Sequence, residues 1–220
     1  MSLLELLTPT EVVISVDEVD PKSLKARGIT AIITDLDNTL VPWRHYEIAP
    51  AVIEWLAKLE VEGIKICIAS NTLHTSRLKQ LAETMGIPFV DKVRKPRRGG
   101  FLRAMAAMDS RRENTAVFGD QLFTDVLAGN RLGLTTILLR PALSKEEFIS
   151  TQMVRWLENG VIHRLRERGQ WPVAQLVQDA LEAMPHPNSP VVRQFSNSVL
   201  LGILTATLGL IAWFWPRRRG

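Results

Sequence analysis

Cysteine is almost absent from this chain, since Cys67 is the only one among 220 residues. Intrachain disulfides and clusters of thiolate metal ligands are therefore excluded. The four histidines share no ligand spacing, which argues against a zinc site. No Gly-x4-Gly-Lys-Ser/Thr loop occurs, which argues against a P-loop nucleotide site. Cys67 itself falls in a predicted buried strand, where we expect it only to fill the core.

Charge is nearly balanced, with 27 Lys and Arg against 23 Asp and Glu and a formal net charge of +4. Such a mild basic excess suits an anionic surface or a phosphate-bearing substrate but identifies neither. We expect no nucleic-acid partner. Hydrophobic residues make up 46% of the chain, which indicates a globular domain rather than a disordered chain.

Short apolar runs alternate with segments of helical periodicity, which predicts a parallel α/β sheet with helices on both faces. The predicted strands are 29–34, 64–69, 88–90, 115–118 and 134–139. The predicted helices are 50–62, 75–85, 99–108 and 124–132, and 145–184 is helical and basic. We divide the chain into four parts. Residues 1–28 form an N-terminal segment with short helical turns, and residues 29–170 form the α/β domain. Residues 171–194 form a helix with a proline-rich linker, and residues 195–215 form a membrane helix.

Residues 195–215 form a run of 21 residues without a charged side chain, long enough to cross a bilayer core. Trp213 and Trp215 at its end, followed by Arg217–Arg219, are typical of interfacial anchors. A buried C-terminal helix is the alternative interpretation. The orientation stays open, because the positive-inside rule would keep both Arg217–Arg219 and the α/β domain on the cytoplasmic side of a single span.

Polar residues follow four of the predicted strands, at the edge where open α/β sheets bind ligands. These residues are Asp35 and Asp37 after the first strand, Ser70 and Asn71 after the second, Lys95 after the third, and Asp120 and Asp125 after the fourth. The run Asp35-x-Asp37-x-Thr39 alone is weak evidence, because a capped strand-to-helix turn with solvated acids would show the same pattern. The combination of these residues in this order is what predicts a site.

The set can transfer a phosphoryl group through a covalent aspartyl-phosphate. Asp35 is the expected nucleophile, Lys95 offsets negative charge, and Asp37 protonates the leaving oxygen and then activates water. Mg²⁺ prefers oxygen ligands, such as those of Asp35, Asp120 and a backbone carbonyl. The full set of metal candidates is Asp35, Asp37, Asp120 and Asp125, and which of the last two touches the ion is open. The candidate phosphate-binding residues are Thr39, Ser70 and Asn71.

These residues resemble the haloacid dehalogenase (HAD) superfamily of phosphatases, and the resemblance covers about residues 1–170. The four motifs are Asp35–Val41, Ala69–Asn71, Arg94–Pro96 and Gly119–Asp125. The last, continuing through Gly129–Arg131, is similar to the subfamily IIIA, YqeG-like phosphatases. The resemblance implies that residues 29–170 are a catalytic domain with a Rossmann-like core. It also implies Mg²⁺, Asp35 as nucleophile and Asp37 as acid/base. Related mitochondrial and chloroplast enzymes dephosphorylate phosphatidylglycerophosphate, so the resemblance also implies that substrate.

Only 35 positions separate Asp35 from Ser70 and 25 separate Ser70 from Lys95, which leaves no room for a cap domain. An uncapped site can face a surface such as lipid head groups. The basic stretch Arg155–Arg168 could rest on anionic lipid. We therefore expect a cytoplasmic catalytic domain held at the membrane by its C-terminal segment. A capless phosphatase of a soluble phosphometabolite or a phosphorylated macromolecule is the alternative, and a tethered binding protein with an idle core is the third.

Overall fold

The computed structural model describes residues 2–72, 74–140 and 149–172. Six parallel strands form one sheet in the order β1-β6-β5-β2-β3-β4. The strands are β1 Glu11–Val13, β2 Ala31–Thr34, β3 Lys65–Ala69, β4 Phe89–Val90, β5 Thr115–Gly119 and β6 Thr135–Leu139. The helices are α1 Leu3–Leu6, α2 Pro21–Ala26, α3 Pro50–Val61, α4 Thr75–Met85, α5 Gly99–Ala107, α6 Leu127–Asn130 and α7 Ile149–Glu167. The predicted parallel α/β architecture is confirmed.

Strand β2 lies in the middle of the sheet and is buried along its whole length. Its side chains alternate between the two faces, so Ile32 and Ile33 belong to different hydrophobic clusters. On one face β2 packs with α2, α3 and α4, and on the other with α5 and α6. Trp55 and Cys67 are both buried, as expected of core residues. Burial raises the pKa of the Cys67 thiol to about 11, so this thiol stays protonated and unreactive.

The chain winds outward from β2 in both directions, through β3 and β4 on one side and through β5 and β6 on the other. A reversal of this kind opens a crevice at the carboxyl ends of β2 and β5. The backbone fixes the two ends together there, because the Asp35 amide donates to the Phe118 carbonyl at 2.9 Å. Asp35 and Asp120, which directly follow these two strands, are therefore brought to one edge.

The sheet contains one more strand than the sequence predicted, because Glu11–Val13 pairs with β6 at its outer edge. The short helical turns predicted in this segment are present as Leu3–Leu6 and Pro21–Ala26. The strand was missed because three residues carry no readable alternation. Side-chain bonds help to hold it, since Asn130 Nδ2 donates to the Leu6 carbonyl at 2.9 Å and the Thr8 carbonyl at 2.8 Å.

The predicted helix over 124–132 is divided in the structure into a π-helical turn at Leu122–Val126 and the short helix α6. The sequence prediction was wrong about its start because the first amides of the turn bind a side chain that is distant in sequence. Glu158 of α7 accepts from the Leu122 amide at 2.6 Å and from the Phe123 amide at 3.3 Å. A π-helical turn at this point is typical of a functional site.

The interval from Asp35 to Ser70 holds a loop and α3, and the described part of the interval from Ser70 to Lys95 holds α4 and β4. No cap domain is inserted in either interval within the described residues, as predicted. Helix α7 lies inside the predicted helical range 145–184. Among the described residues, no helix is both long enough and apolar enough for a membrane span. The predicted membrane helix at 195–215 lies outside the described residues, so it and the proposed division of the chain stay predictions.

Replacing Asn130 with Asp should destabilise the protein by about 2 kcal/mol, because the isosteric carboxylate cannot donate either hydrogen bond to the 6–8 backbone. The free energy of unfolding in urea measures this change. Gln80→Glu is the control, because it makes the same chemical change at an exposed position of α4. Its free energy of unfolding should stay within ~0.5 kcal/mol of wild type. Equal effects of the two changes would show that Asn130 does not hold the N-terminal segment.

Candidate active site

Lys95 lies at the centre of the residues that follow the strands. Its Nζ donates to Asp35 Oδ1 at 2.5 Å and to Asp125 Oδ1 at 2.7 Å, and its side chain is only 3% exposed. Burial alone would lower the pKa of this ammonium group, but the carboxylates of Asp125 and Asp35 outweigh burial and raise the pKa above its ordinary range. Lys95 therefore stays positively charged and holds two acids from different loops together.

The Asp35 carboxyl has a pKa raised to about 6, mainly because burial removes it from water. The charge of Lys95 works against this increase, whereas the neighbouring Asp125 adds to it. A further positive charge near this carboxyl group would stabilise its ionised form and lower its pKa. Asp35 thus has the surroundings expected of a nucleophile that acts beside a bound cation.

Asn71 has a different task from the one the sequence predicted for its side chain. Its Oδ1 accepts from the Lys95 amide at 2.8 Å, and its Nδ2 donates to the Lys95 carbonyl at 3.3 Å. These two bonds fix the backbone that carries the lysine, so Asn71 positions Lys95. One of the two N–H groups of Nδ2 takes part in these bonds, so phosphate binding by Asn71 stays a prediction.

The hydroxyls of Ser70 and Thr39 are both buried near this edge. Ser70 Oγ accepts from the Thr72 amide at 3.1 Å and keeps its own proton for a further acceptor. Thr39 Oγ1 has no hydrogen-bond partner among the residues that the structure describes. A buried hydroxyl without a partner is unfavourable, so a phosphate oxygen is a suitable acceptor for it. Phosphate binding by Ser70 and Thr39 stays a prediction.

Asp37, the expected acid/base, is 21% exposed and pairs with an arginine that the sequence analysis missed. Arg77 of α4 donates from Nη1 to Asp37 Oδ1 at 2.7 Å and from Nη2 to the His45 carbonyl at 2.7 Å. The signal was present in the sequence, because Arg77 falls on the same helix face as the buried Leu78 and Leu81. A charged residue within such a stripe needs a buried partner.

The two acids after β5 differ in which of their oxygens are engaged. Asp125 uses both, since Oδ1 binds Lys95 and Oδ2 accepts from the Gln121 amide at 3.3 Å and the Thr124 hydroxyl at 3.2 Å. Asp120 Oδ2 accepts from Arg155 Nη2 at 2.9 Å, while its buried Oδ1 has no hydrogen-bond partner in the described part of the chain. Of the two, Asp120 is therefore the one with an oxygen available to a cation.

A magnesium ion fits this donor set. Burial raises the pKa of Asp120 well above its ordinary range, although Arg155 works against this, so a cation at Oδ1 would favour the ionised carboxylate. In the residues that the structure describes, no three His, Cys, Asp or Glu side chains converge as a complete metal cage. Mg²⁺ does not need one, because it usually keeps several waters and binds one or two carboxylates together with the substrate's phosphate.

Helix α7 supplies two buried charged residues that support the loop after β5. Arg155 binds Asp120, and Glu158, besides accepting the two loop amides, accepts from Arg140 Nη1 at 3.2 Å. The expectation that the stretch from Arg155 to Arg168 rests on lipid is wrong for Arg155, which is 4% exposed. The helical spacing of Arg155 and Glu158 with the buried Leu165 was the available signal.

Gly119, at the end of β5, allows the close approach of the Asp125 side chain. A Cβ at this position would lie 2.2 Å from Asp125 Cγ and 2.5 Å from Asp125 Oδ2, much closer than atoms can approach. Glycine here is therefore a requirement of the acid cluster rather than of the strand.

Comparison with known proteins gives one family and several relatives. Residues 92–155 match the model described as HAD-hydrolase-like. The chain is similar to "Probable phosphatase YqeG" of Bacillus subtilis, with 42% identity over 171 residues that cover 77% of this chain and 98% of that protein. It is 28% identical to "Phosphatidylglycerophosphate phosphatase 1, chloroplastic/mitochondrial" of Arabidopsis thaliana, over 77% of this chain and 51% of that protein.

A further similarity is to "Ribulose-1,5-bisphosphate 5-phosphatase" of Halopiger xanaduensis, with 32% identity over 104 residues. It covers 43% of this chain and 43% of that protein. The region shared with the Bacillus protein is longer and more similar, and it covers almost all of that protein. The family of this chain is therefore assigned from the Bacillus protein.

Gly119→Ala should lower kcat/KM for a phosphate monoester by about 100-fold, because the added methyl group displaces the Asp125 carboxylate and so Lys95. Phosphate release from p-nitrophenyl phosphate measures this. Gly160→Ala in α7 is the control, since a Cβ there meets nothing within 4 Å, and it should retain wild-type activity. Full activity of Gly119→Ala would contradict the proposed role of this glycine.

Arg155→Met should destabilise the fold by about 3–5 kcal/mol, because it leaves the buried Asp120 without its arginine partner. The free energy of unfolding in urea tests this. Arg164→Met removes an exposed arginine from the same helix and should change stability by less than ~0.5 kcal/mol. If the two variants unfold alike, the ion pair with Asp120 does not stabilise the protein.

Proposed function

Because this chain belongs to the YqeG family of HAD-like phosphatases, we propose that it forms an aspartyl-phosphate on Asp35 with the help of Mg²⁺. We propose further that its substrate is phosphatidylglycerophosphate, which it converts to phosphatidylglycerol in phospholipid biosynthesis. The observation that carries the first proposal is the buried contact of Lys95 with Asp35, beside an Asp120 oxygen without a hydrogen-bond partner among the described residues.

The reaction has two steps that use the same side chains. In the first, an Asp35 carboxylate oxygen attacks phosphorus, the bond to the leaving oxygen breaks, and Asp37 supplies the proton that this oxygen needs. In the second, Asp37 takes a proton from water as the water attacks the phosphorus and releases Asp35 and inorganic phosphate. Lys95 offsets negative charge in both steps, since its ammonium group contacts Asp35 directly.

Asp35 and Asp120 are the side chains that would hold Mg²⁺, with a backbone carbonyl and water as further ligands. When bound, the ion reduces the repulsion between the Asp35 carboxylate and the negatively charged phosphate. Asp125 and Arg155 would act indirectly. Asp125 would position Lys95, and Arg155 would position Asp120. Asp37 would contribute through its backbone carbonyl, which leaves its side chain, paired with Arg77 through Oδ1, for proton transfer.

A lipid substrate is supported by the open site and by the family. The two intervals that could hold a cap contain no inserted domain in their described residues, so a large or membrane-bound phosphate ester can reach Asp35. The Arabidopsis relative is named for phosphatidylglycerophosphate, although this chain spans only 51% of its length. The uncharged run at 195–215 would hold the catalytic domain at the cytoplasmic face of the membrane.

A soluble substrate is the second candidate function. The similarity to a protein named for ribulose-1,5-bisphosphate favours it, because that substrate is a sugar phosphate without a lipid tail. A capless site is equally open to a phosphorylated macromolecule. The two functions share the chemistry at Asp35 and differ only in what carries the phosphate.

The purified full chain with Mg²⁺ should release phosphate from phosphatidylglycerophosphate with a higher kcat/KM than from glycerol 3-phosphate or sugar bisphosphates. Asp35→Asn should reduce all turnover by at least about 1,000-fold, because the amide cannot act as the nucleophile. Asp109→Asn makes the same change at an exposed turn outside the four motifs, and its turnover should match that of wild type. Preference for a soluble ester would contradict the lipid substrate, and turnover by Asp35→Asn would contradict the mechanism.

A further inference from the structure

The segment that follows the first motif is connected to the acid/base residue Asp37 through Arg77. Arg77, which binds Asp37, also donates to the Pro42 carbonyl at 3.3 Å and from two nitrogens to the His45 carbonyl at 3.0 and 2.7 Å. The Trp43 amide donates to Asn38 Oδ1 at 3.2 Å. Pro42–Tyr46 is therefore held at the rim of the site.

The side chains of this segment are unusual for an exposed loop. Tyr46 is 56% exposed, and the Arg44 guanidinium lies 4.2 Å from the centre of the Trp43 ring. Arg44 has φ +63°, a left-handed conformation that side chains other than glycine seldom adopt. Such strain at the edge of a site is typical of functional loops.

The composition of the segment matches a lipid surface. Trp and Tyr are enriched where membranes meet water, because their rings are apolar and their N–H and O–H groups are polar. Arg44 adds a positive charge, and Pro42–Tyr46 contains no acidic residue. The exposed Arg94 and Arg98 flank Lys95, so further positive charge follows another strand at the same sheet edge. These charges are complementary to anionic lipid.

We propose that Trp43–Tyr46, called here the aromatic loop, docks on the surface of an anionic bilayer and brings Asp35 and Asp37 to a phosphorylated head group. This inference rests on the lipid substrate proposed above and adds how the site meets it. Because one arginine holds both the loop and Asp37, the depth of the docked loop sets the distance of the acid/base from the surface. The partner of the loop in this proposal is the bilayer itself.

The test uses the full chain and one head group presented in two ways. Short-chain phosphatidylglycerophosphate below its micelle concentration is a soluble monomer, and long-chain phosphatidylglycerophosphate is mixed into phosphatidylcholine–phosphatidylserine vesicles. The loop variant is Arg44→Gln, because the Tyr46 ring lies 5.7 Å from the Arg77 guanidinium and its removal would also disturb the support of Asp37. The control is Lys58→Gln, which removes an exposed cation near the end of α3.

The loop variant should lose about fivefold in kcat/KM on vesicles and less than about twofold on the monomeric lipid, because one cation leaves the anionic surface. The control should match wild type on both. Equal losses on the two substrates, or no loss on vesicles, would overturn docking while leaving the lipid substrate intact. If wild type hydrolyses neither lipid but cleaves soluble esters, the proposed substrate fails and the aromatic-loop proposal fails with it.

Discussion

The contact of one buried ammonium group with two buried carboxylates is the constraint on which the site depends. Lys95 joins Asp35, which follows β2, to Asp125, which follows β5, and its charge offsets the cost of burying the two acids side by side. Other features serve this contact. Asn71 fixes the backbone of Lys95, and Gly119 leaves the space that the Asp125 side chain fills.

Two arginines extend this arrangement beyond the motifs. Arg155 reaches from α7 to Asp120, so a helix that follows the sheet in sequence becomes part of the site. Arg77 reaches from α4 to Asp37 and to the loop that begins at Pro42. In both cases a buried guanidinium neutralises an acid of the site and also occupies a fixed position in the fold. Stability and catalysis are therefore coupled, because removing either arginine would leave a charge near the reacting atoms without its partner.

The sequence predicted the parallel sheet, the order of the motifs and the absence of a cap within the described intervals, because these depend on local periodicity and on spacing. Placement of Asp35, Lys95 and Asp120 at one edge followed from the rule that parallel strands end together. Strand β1 was missed because three residues show no pattern, and the π-helical turn was missed because Glu158 lies about 35 residues away. The sequence analysis assigned Arg155 to the lipid-facing surface because its buried partner, Asp120, lies 35 residues away in the sequence.

The division between Asp120 and Asp125 could not be predicted either, since both are acids of the same motif. Only the geometry shows that Asp125 has both oxygens engaged while Asp120 Oδ1 has no hydrogen-bond partner among the described residues. The central claim is that Asp35 carries the phosphoryl group during turnover. Acid quenching of the enzyme within milliseconds of mixing with Mg²⁺ and substrate, followed by peptide mass spectrometry, tests it most directly. The account predicts one phosphoryl group on the peptide that contains Asp35. A burst of released phosphate with no modified peptide, or a phosphoryl group on another residue, would contradict it.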